Sequence, residues 1–198
     1  MLKTALEFAG VSISWLEIAA FVTALTGVAL TALERSTGWL LSVVSSALYA
    51  WLFFEARLYG DSALQLYFIA ISVWGWQLWR RGTGPSQTAP AIHRLDTRTR
   101  WQLIVVLLAA WLAVGLLLSR FTDTDVPWFD AAPTVGSIVA QALLARKALE
   151  AWHLWIVVNA IAVALFAWKS LWLTAILYTL LLALAVAGLL RWRRLCTA

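Results

Sequence analysis

The sequence is poor in the groups that staple soluble proteins together or do chemistry inside them. Its single cysteine, Cys196, stands two residues from the end of the 198-residue chain, which excludes an intrachain disulfide. There are two histidines, His93 and His153, and no HExxH, CxxC, GxSxG or GxxxxGK[ST] pattern. A zinc site, a nucleophile elbow and a phosphate-binding loop therefore lack support, and no catalytic residue, metal or cofactor is expected. Charged residues make up 13% of the chain. No acid falls in the middle of a long apolar run: Glu17 and Asp130 stand at run starts, and Glu55 and Asp61 lie in a short polar break. An intramembrane proton relay or sodium site would call for a buried carboxylate, so neither is expected. Glu7 and Glu17 interrupt the first residues and no small-residue cleavage pattern follows, so no cleaved leader is expected.

Hydrocarbon is abundant. The chain is 63% hydrophobic with a mean hydropathy of +0.82, more apolar surface than a soluble domain of this length can hide. Long apolar runs between short charged breaks predict an all-α polytopic membrane protein. The runs are too long, and lack the period-two alternation, for a transmembrane β-barrel. Seven spans are expected, roughly 15–33, 38–54, 62–79, 101–118, 130–148, 152–168 and 170–190. Tight loops, "ERSTG" (34–38) and "EARLYGD" (55–61), join the first three, and a polar linker at 80–100 precedes the fourth. The fourth is the most uniformly aliphatic, and the fifth the least apolar. The division expected is 1–81, a three-helix bundle; 82–125, linker and fourth helix; and 126–198, a second three-helix bundle.

Positive charge predicts the direction of threading. With the C-terminal "RWRR" (191–194) in the cytoplasm, eleven of the fifteen Lys and Arg residues fall on that side. Lys3, Arg57, Arg120 and Lys169 fall outside, together with seven of the ten acids. The N-terminus is thus expected outside and the C-terminus inside. The pI near 9.9 reflects these topology signals, and no nucleic-acid partner is expected.

Shifting the sequence by 113 positions overlays its two ends without a gap. Glu17 falls on Asp130, Trp39 on Trp152, Leu58 on Leu171, Leu64 on Leu177 and Gly75 on Gly188. "WRR" at 79–81 falls on "WRR" at 192–194. Two directly joined trios of spans would be inverted; one extra span between them restores a parallel repeat. That 3+1+3 plan is the one known for SWEET-type transporters.

Polar residues at membrane depth usually face the bundle interior. The second span carries Ser42, Ser45, Ser46 and Tyr49 at i, i+3, i+4 and i+7; the third carries Gln65 and Ser72. The fifth adds Thr134, Ser137 and Gln141, and the seventh Thr174 and Tyr178. In "WHLWIVVN" (152–159), Trp152, Trp155 and Asn159 share one helix face. Each feature has a plainer reading. Serine and threonine can back-bond to their own helix. Taken singly, Trp152, like Trp39, Trp79, Trp101, Trp128 and Trp192, reads as a tryptophan of the interfacial belt. Buried carboxamides are harder to explain by packing, because they offer several hydrogen-bonding sites. A neutral cavity of indoles, phenol and carboxamides suits a flat polar molecule, and a cationic ring would stack on tryptophan faces.

At these residues the chain resembles the PnuC family of bacterial vitamin transporters, best known for nicotinamide riboside. The resemblance is carried by "WLE" (15–17), "LYGDSALQLYF" (58–68), "GWQLW" (75–79), "WHLWIVVN" (152–159), which matches a WxxWxxxN pattern, and "LYTLLLALAVAGLLRWRR" (177–194). It implies a non-enzymatic, multi-pass protein of the bacterial inner membrane that serves NAD biosynthesis. It also implies facilitated diffusion of a dephosphorylated vitamin, trapped by a cytoplasmic vitamin kinase, and a homo-oligomer, a trimer among the forms to consider. By resemblance Trp152, Trp155, Asn159 and Gln65 belong to the substrate site. Gln141, Thr174, Tyr178, Ser46 and Tyr49 join them because their stripes are expected to face inward. The seventh span is mostly aliphatic here. Nicotinamide riboside fits the cavity chemistry, and thiamine, riboflavin or a nucleoside remains the alternative cargo. A membrane-embedded enzyme would need a clustered acid, histidine or metal set that the spans lack. A scaffold or receptor would have no need of facing polar stripes.

Overall fold

The computed structural model describes residues 4–8, 11–55, 59–81, 91–122, 126–168 and 172–196. Seven helices follow one another: α1 (Trp15–Ala32), α2 (Thr37–Glu55), α3 (Tyr59–Arg80), α4 (Thr97–Phe121), α5 (Pro127–Ala145), α6 (Glu150–Trp168) and α7 (Trp172–Cys196). They fall into two compact units, 1–89 and 90–198. In the first, α2 packs against both α1 and α3; in the second, α4 packs on α5, and α6 packs against both α5 and α7.

The seven expected spans are all present, with shifted ends. Asp96 starts α4 early by accepting a hydrogen bond from the Thr99 backbone N–H at 3.2 Å. The Thr99 hydroxyl and then its N–H hold the Asp96 carboxyl below the usual carboxylate range. At the other end α7 runs on through "RWRR" to Cys196, since Arg, Leu and Trp continue a helix and no Gly or Pro breaks it. An antiparallel hairpin that the helical periodicity did not announce, β1 (Thr4–Phe8) with β2 (Val11–Ser14), precedes α1. Its last residue doubles as the α1 cap. Ser14 Oγ accepts from the Glu17 N–H at 3.2 Å, and Glu17 Oε2 accepts from the Ser14 N–H at 2.6 Å. This capping box gives Glu17 of "WLE" a local task.

Among the described residues, α1, α2, α4, α6 and α7 are long and apolar enough to cross a membrane. The other two are long enough but more polar: α3 carries Asp61, Gln65 and Arg80, and α5 carries Asp130, Thr134, Ser137 and Gln141 between Pro127 and Ala145. For α5 the structure supplies the cover, since nine of its residues, among them Ser137 and Gln141, are buried. Its opposite is α4, where Gly115 alone is buried.

The 113-residue shift reappears as geometry. The only two non-glycine residues with positive φ among those described are Glu34 and Lys147, one shift apart, both at 59°. They make the same tight corner between α1 and α2 as between α5 and α6. Trp39 meets Trp79 edge-on with ring centres 5.4 Å apart at 87°, and Trp152 meets Trp192 at 5.4 Å and 88°. Beneath each first indole lies a glycine. A Cβ on Gly75 would sit 2.9 Å from Trp39, and one on Gly188 2.7 Å from Trp152. The Leu58–Leu171 pair lies outside the described residues.

These pins correct the belt reading of four tryptophans. Trp39, Trp79, Trp152 and Trp192 are at most 5% exposed. They fill the α2–α3 and α6–α7 seams, where a glycine gives the indole room to lie flat. Trp101, by contrast, is 64% exposed, as an interfacial residue should be. Trp128 is partly covered: its carbonyl accepts from Trp111 Nε1 at 2.8 Å, and its ring lies over Gly115.

The pins make a direct prediction. Gly188→Ala should lower the thermal midpoint of the purified protein, because the indole has no room to retreat; overpacking of this kind costs about 1–3 kcal/mol. Trp152→Phe in the same background, which shortens the ring system, should restore part of the loss.

Candidate functional site

The opening stretch of α6 separates into two kinds of residue. Trp152, in the first turn of the helix, is 1% exposed and closed in by Gly188 and Trp192. Trp155, on the same face, is half-buried. Asn159, a turn further on, is 3% exposed, and its Oδ1 has no hydrogen-bond partner among the described residues. A buried carbonyl oxygen left unpaired costs about 1–3 kcal/mol. That cost makes the atom a candidate point for a donor from outside the described residues.

Helices on either side of α6 bring further polar groups. From α5, Ser137 and Gln141 are buried, and the next turn of α6 comes close enough that Val158 would meet a Cβ on Gly136 at 2.5 Å. From α7, Tyr178 stacks on Phe166 of α6 at 5.2 Å and 23°, and Thr174 is half-buried. In the first unit Ser46 is buried on α2, Tyr49 stacks on Phe53 at 5.8 Å and 22°, and Gln65 is half-buried on α3. The repeat pairs two of these residues with two in the second unit: Ser46 falls on Asn159 and Gln65 on Tyr178.

Other members of the polar stripes are satisfied locally. Ser42 Oγ donates to the Gly38 carbonyl of its own helix at 3.1 Å, and Ser45 Oγ donates across to the Ala20 carbonyl of α1 at 3.0 Å. Thr134 and Ser137 hydroxyls donate back to the Asp130 and Thr134 carbonyls, each at 3.0 Å. Of these four bonds, that of Ser45 joins two helices and the other three lie within one helix. Three other atoms share the unpaired state of Asn159 among the described residues: Trp39 Nε1 and Ser72 Oγ, outside the expected site, and Nε1 of Trp152, which was expected within it. The sequence overlay had already paired the two indoles, which was the available signal; Ser72 was visible only as a mid-helix hydroxyl.

The other side of α6 is different in kind. Ala160, Ile161, Ala164, Leu165 and Trp168, with Val126 and Phe129, line a cavity of about 560 Å³ that is almost entirely hydrocarbon. It contains none of the expected site residues. No group of three or more His, Cys, Asp or Glu side chains that could hold a metal is found among the described residues.

Seven helices in a repeated trio, five of them long and apolar enough to cross a membrane among the described residues, define a polytopic membrane protein. The family model described as "Nicotinamide mononucleotide transporter" matches residues 14–194. The nicotinamide riboside transporter PnuC of Escherichia coli strain K12 is 25% identical over 207 positions, covering 92% of this chain and 87% of its own. PnuC of Neisseria mucosa is 27% identical over 194 positions, 92% of this chain and 73% of its own. The riboflavin/roseoflavin transporter RibM of Streptomyces davaonensis is 29% identical over 141 positions, 70% of this chain and 66% of its own. A crystal structure of the vitamin B3 transporter PnuC superposes with a TM-score of 0.74 at 25% identity, covering 92% of this chain and 82% of that one. The chain belongs to this family, the PnuC transporters.

The unpaired oxygen predicts opposite effects on stability and function. Asn159→Leu, of the same branched shape and without a polar group, should leave the thermal midpoint unchanged or raise it, while saturable uptake falls to background. A fall in the midpoint comparable to a core cavity would show instead that the carboxamide is a structural group.

Proposed function

We propose that this transporter carries nicotinamide riboside inward across a bacterial inner membrane by facilitated diffusion. A cytoplasmic kinase phosphorylates the cargo and so keeps it inside. The observation that carries the reading is Asn159 Oδ1, a buried acceptor awaiting a donor. Nicotinamide riboside offers such donors in its carboxamide and ribose hydroxyls. Its pyridinium ring would stack on Trp155, which keeps part of its surface accessible on the same face. Gln141 and Tyr178 stand on the helices packed against α6 and supply further polar contacts, with Thr174 at the start of the same α7 face. Ser46, Tyr49 and Gln65 of the first unit stay in the proposal as expected site residues, Ser46 and Gln65 one repeat away from Asn159 and Tyr178. Trp152 was expected as a second stacking surface; its burial between Gly188 and Trp192 supports a supporting role, in which it fixes the azimuth of α6 and hence the aim of Trp155 and Asn159.

The relatives favour nicotinamide riboside, because two of those above are named for it. The 29% identity to a riboflavin/roseoflavin transporter keeps a flavin as the second reading, since an isoalloxazine would stack on the same indole. The charge distribution supports an N-terminus outside and a C-terminus inside. Homo-oligomerisation remains part of the proposal.

The test is uptake into proteoliposomes. Labelled nicotinamide riboside should equilibrate with empty vesicles and accumulate only when its kinase and ATP are enclosed; accumulation without the kinase would point to ion coupling. Trp155→Ala should weaken saturable uptake by about tenfold, since stacking of a base on an aromatic side chain is worth ~1–3 kcal/mol. A thermal-shift comparison of nicotinamide riboside, thiamine and riboflavin decides the cargo, because only the true ligand stabilises at modest concentration.

A further inference from the structure

The segment before α4 is sewn to the corner between α5 and α6. The His93 N–H donates to the Lys147 carbonyl at 3.2 Å, and the Leu149 N–H donates to the His93 carbonyl at 2.9 Å. Glu150 closes the seam: its Oε2 accepts from the Leu95 N–H at 3.1 Å, and its Oε1 pairs with Arg100 Nε at 3.0 Å. Between this strap, the first turns of α4 and the end of α5 lies a cavity of about 210 Å³. That is several times the ~30 Å³ share of one water molecule.

Its lining changes character along the helix axis. Thr99, Gln102, Leu103 and Val106 all line it, at i, i+3, i+4 and i+7, so they form one stripe of α4 about 10 Å long. The polar groups, His93, Thr99, Gln102 and Arg146, belong to the strap, the first turns of α4 and the α5–α6 corner, where Leu95 and Ala148 also line the cavity; Leu103, Val106 and Leu143 lie further along the helices. Exposed Trp101 marks the bilayer interface at the polar end. Residues 91–100 and 146–150 carry five cations, Arg94, Arg98, Arg100, Arg146 and Lys147, against Asp96 and Glu150. Both acids are already engaged, Asp96 by the α4 cap and Glu150 by Leu95 and Arg100.

We propose that this cavity is a binding site for one anionic glycerophospholipid. The phosphate sits among His93, Gln102 and Arg146 at the strap, and the first methylenes of an acyl chain run down Leu103 and Val106. A zwitterionic lipid presents an amine that the basic rim repels, whereas a lipid whose only charge is its phosphate does not. Bound there, the lipid would join the first turns of α4 to the α5–α6 corner. The proposal is independent of which vitamin is carried.

The test uses the purified full-length protein in detergent, with native mass spectrometry to count retained lipid and thermal unfolding as a second readout. Dioleoyl phosphatidylglycerol should be retained and should raise the midpoint, and dioleoyl phosphatidylcholine should do neither. Arg146→Gln should weaken phosphatidylglycerol retention about fivefold, the effect of one cation at a membrane surface. Val106→Trp, at a position 56% exposed and so free of folding constraints, should block the tail track and abolish retention. Equal retention of the two lipids overturns the proposal, as does unchanged phosphatidylglycerol retention in Val106→Trp. A midpoint shift from soluble glycerol 3-phosphate alone also overturns it, because it would mark a free-anion site.

Discussion

The fold depends on indole rings laid flat on glycines. Between helices in a bilayer there is no hydrophobic drive, because lipid tails are as apolar as leucine; association comes from close packing. A glycine opposite a tryptophan gives the largest contact area at the shortest separation. Trp39 on Gly75 joins α2 to α3, and Trp152 on Gly188 joins α6 to α7. The second tryptophan of each pair meets the first edge-on, an arrangement worth ~0.5–1.5 kcal/mol beyond its buried area. Because both pins recur at the same offset, each trio presents its middle helix at a fixed rotation.

That rotation decides which polar atoms are available. Most hydroxyls in the helices are consumed at once, by their own carbonyls or, for Ser45, by the neighbouring helix. Asn159 is not, although it lies on the same short helix as the second pin. A carboxamide held dry and unpaired is a standing cost that a bound molecule with a donor removes. In the proposed site the pin and the anchor are two parts of one device, the first rigid and apolar, the second a polar atom with no partner among the described residues.

Much of this was legible in the sequence, and the failures share a cause. Helix number, the aliphatic fourth span, the corner at 34–38 and the 113-residue repeat depend on local composition or on self-comparison, and all are in the structure; the break at 55–61 lies partly outside the described residues. The tryptophans were misread because an indole near a span end looks alike whether it faces headgroups or a neighbouring helix. The deciding residue, its glycine, lies thirty-six positions on in both halves, and the overlay contained Gly75 and Gly188 without showing what they touch. The strap was invisible for the same reason, since His93 pairs with residues more than fifty positions away. The polar stripes were visible, but which of their members are spent on backbone carbonyls is a matter of rotamer and neighbour. The α1 hairpin rests on four residues of alternation, "VSIS", too short to stand out beside eighteen residues of helix.

Among the described residues α4 is the least covered helix, with Gly115 its one buried residue. Trp111 and Gly115 tie it to Trp128, Arg100 ties its first turn to Glu150, and the rest of its length is largely uncovered. Selection on such a helix acts through oiliness and length alone, so leucine, isoleucine, valine and alanine are interchangeable over most of it. Across distant descendants of one ancestor this segment should drift fastest, its identity eroding while its profile persists, with Trp111 and Gly115 left as the few fixed letters in an otherwise neutral stretch.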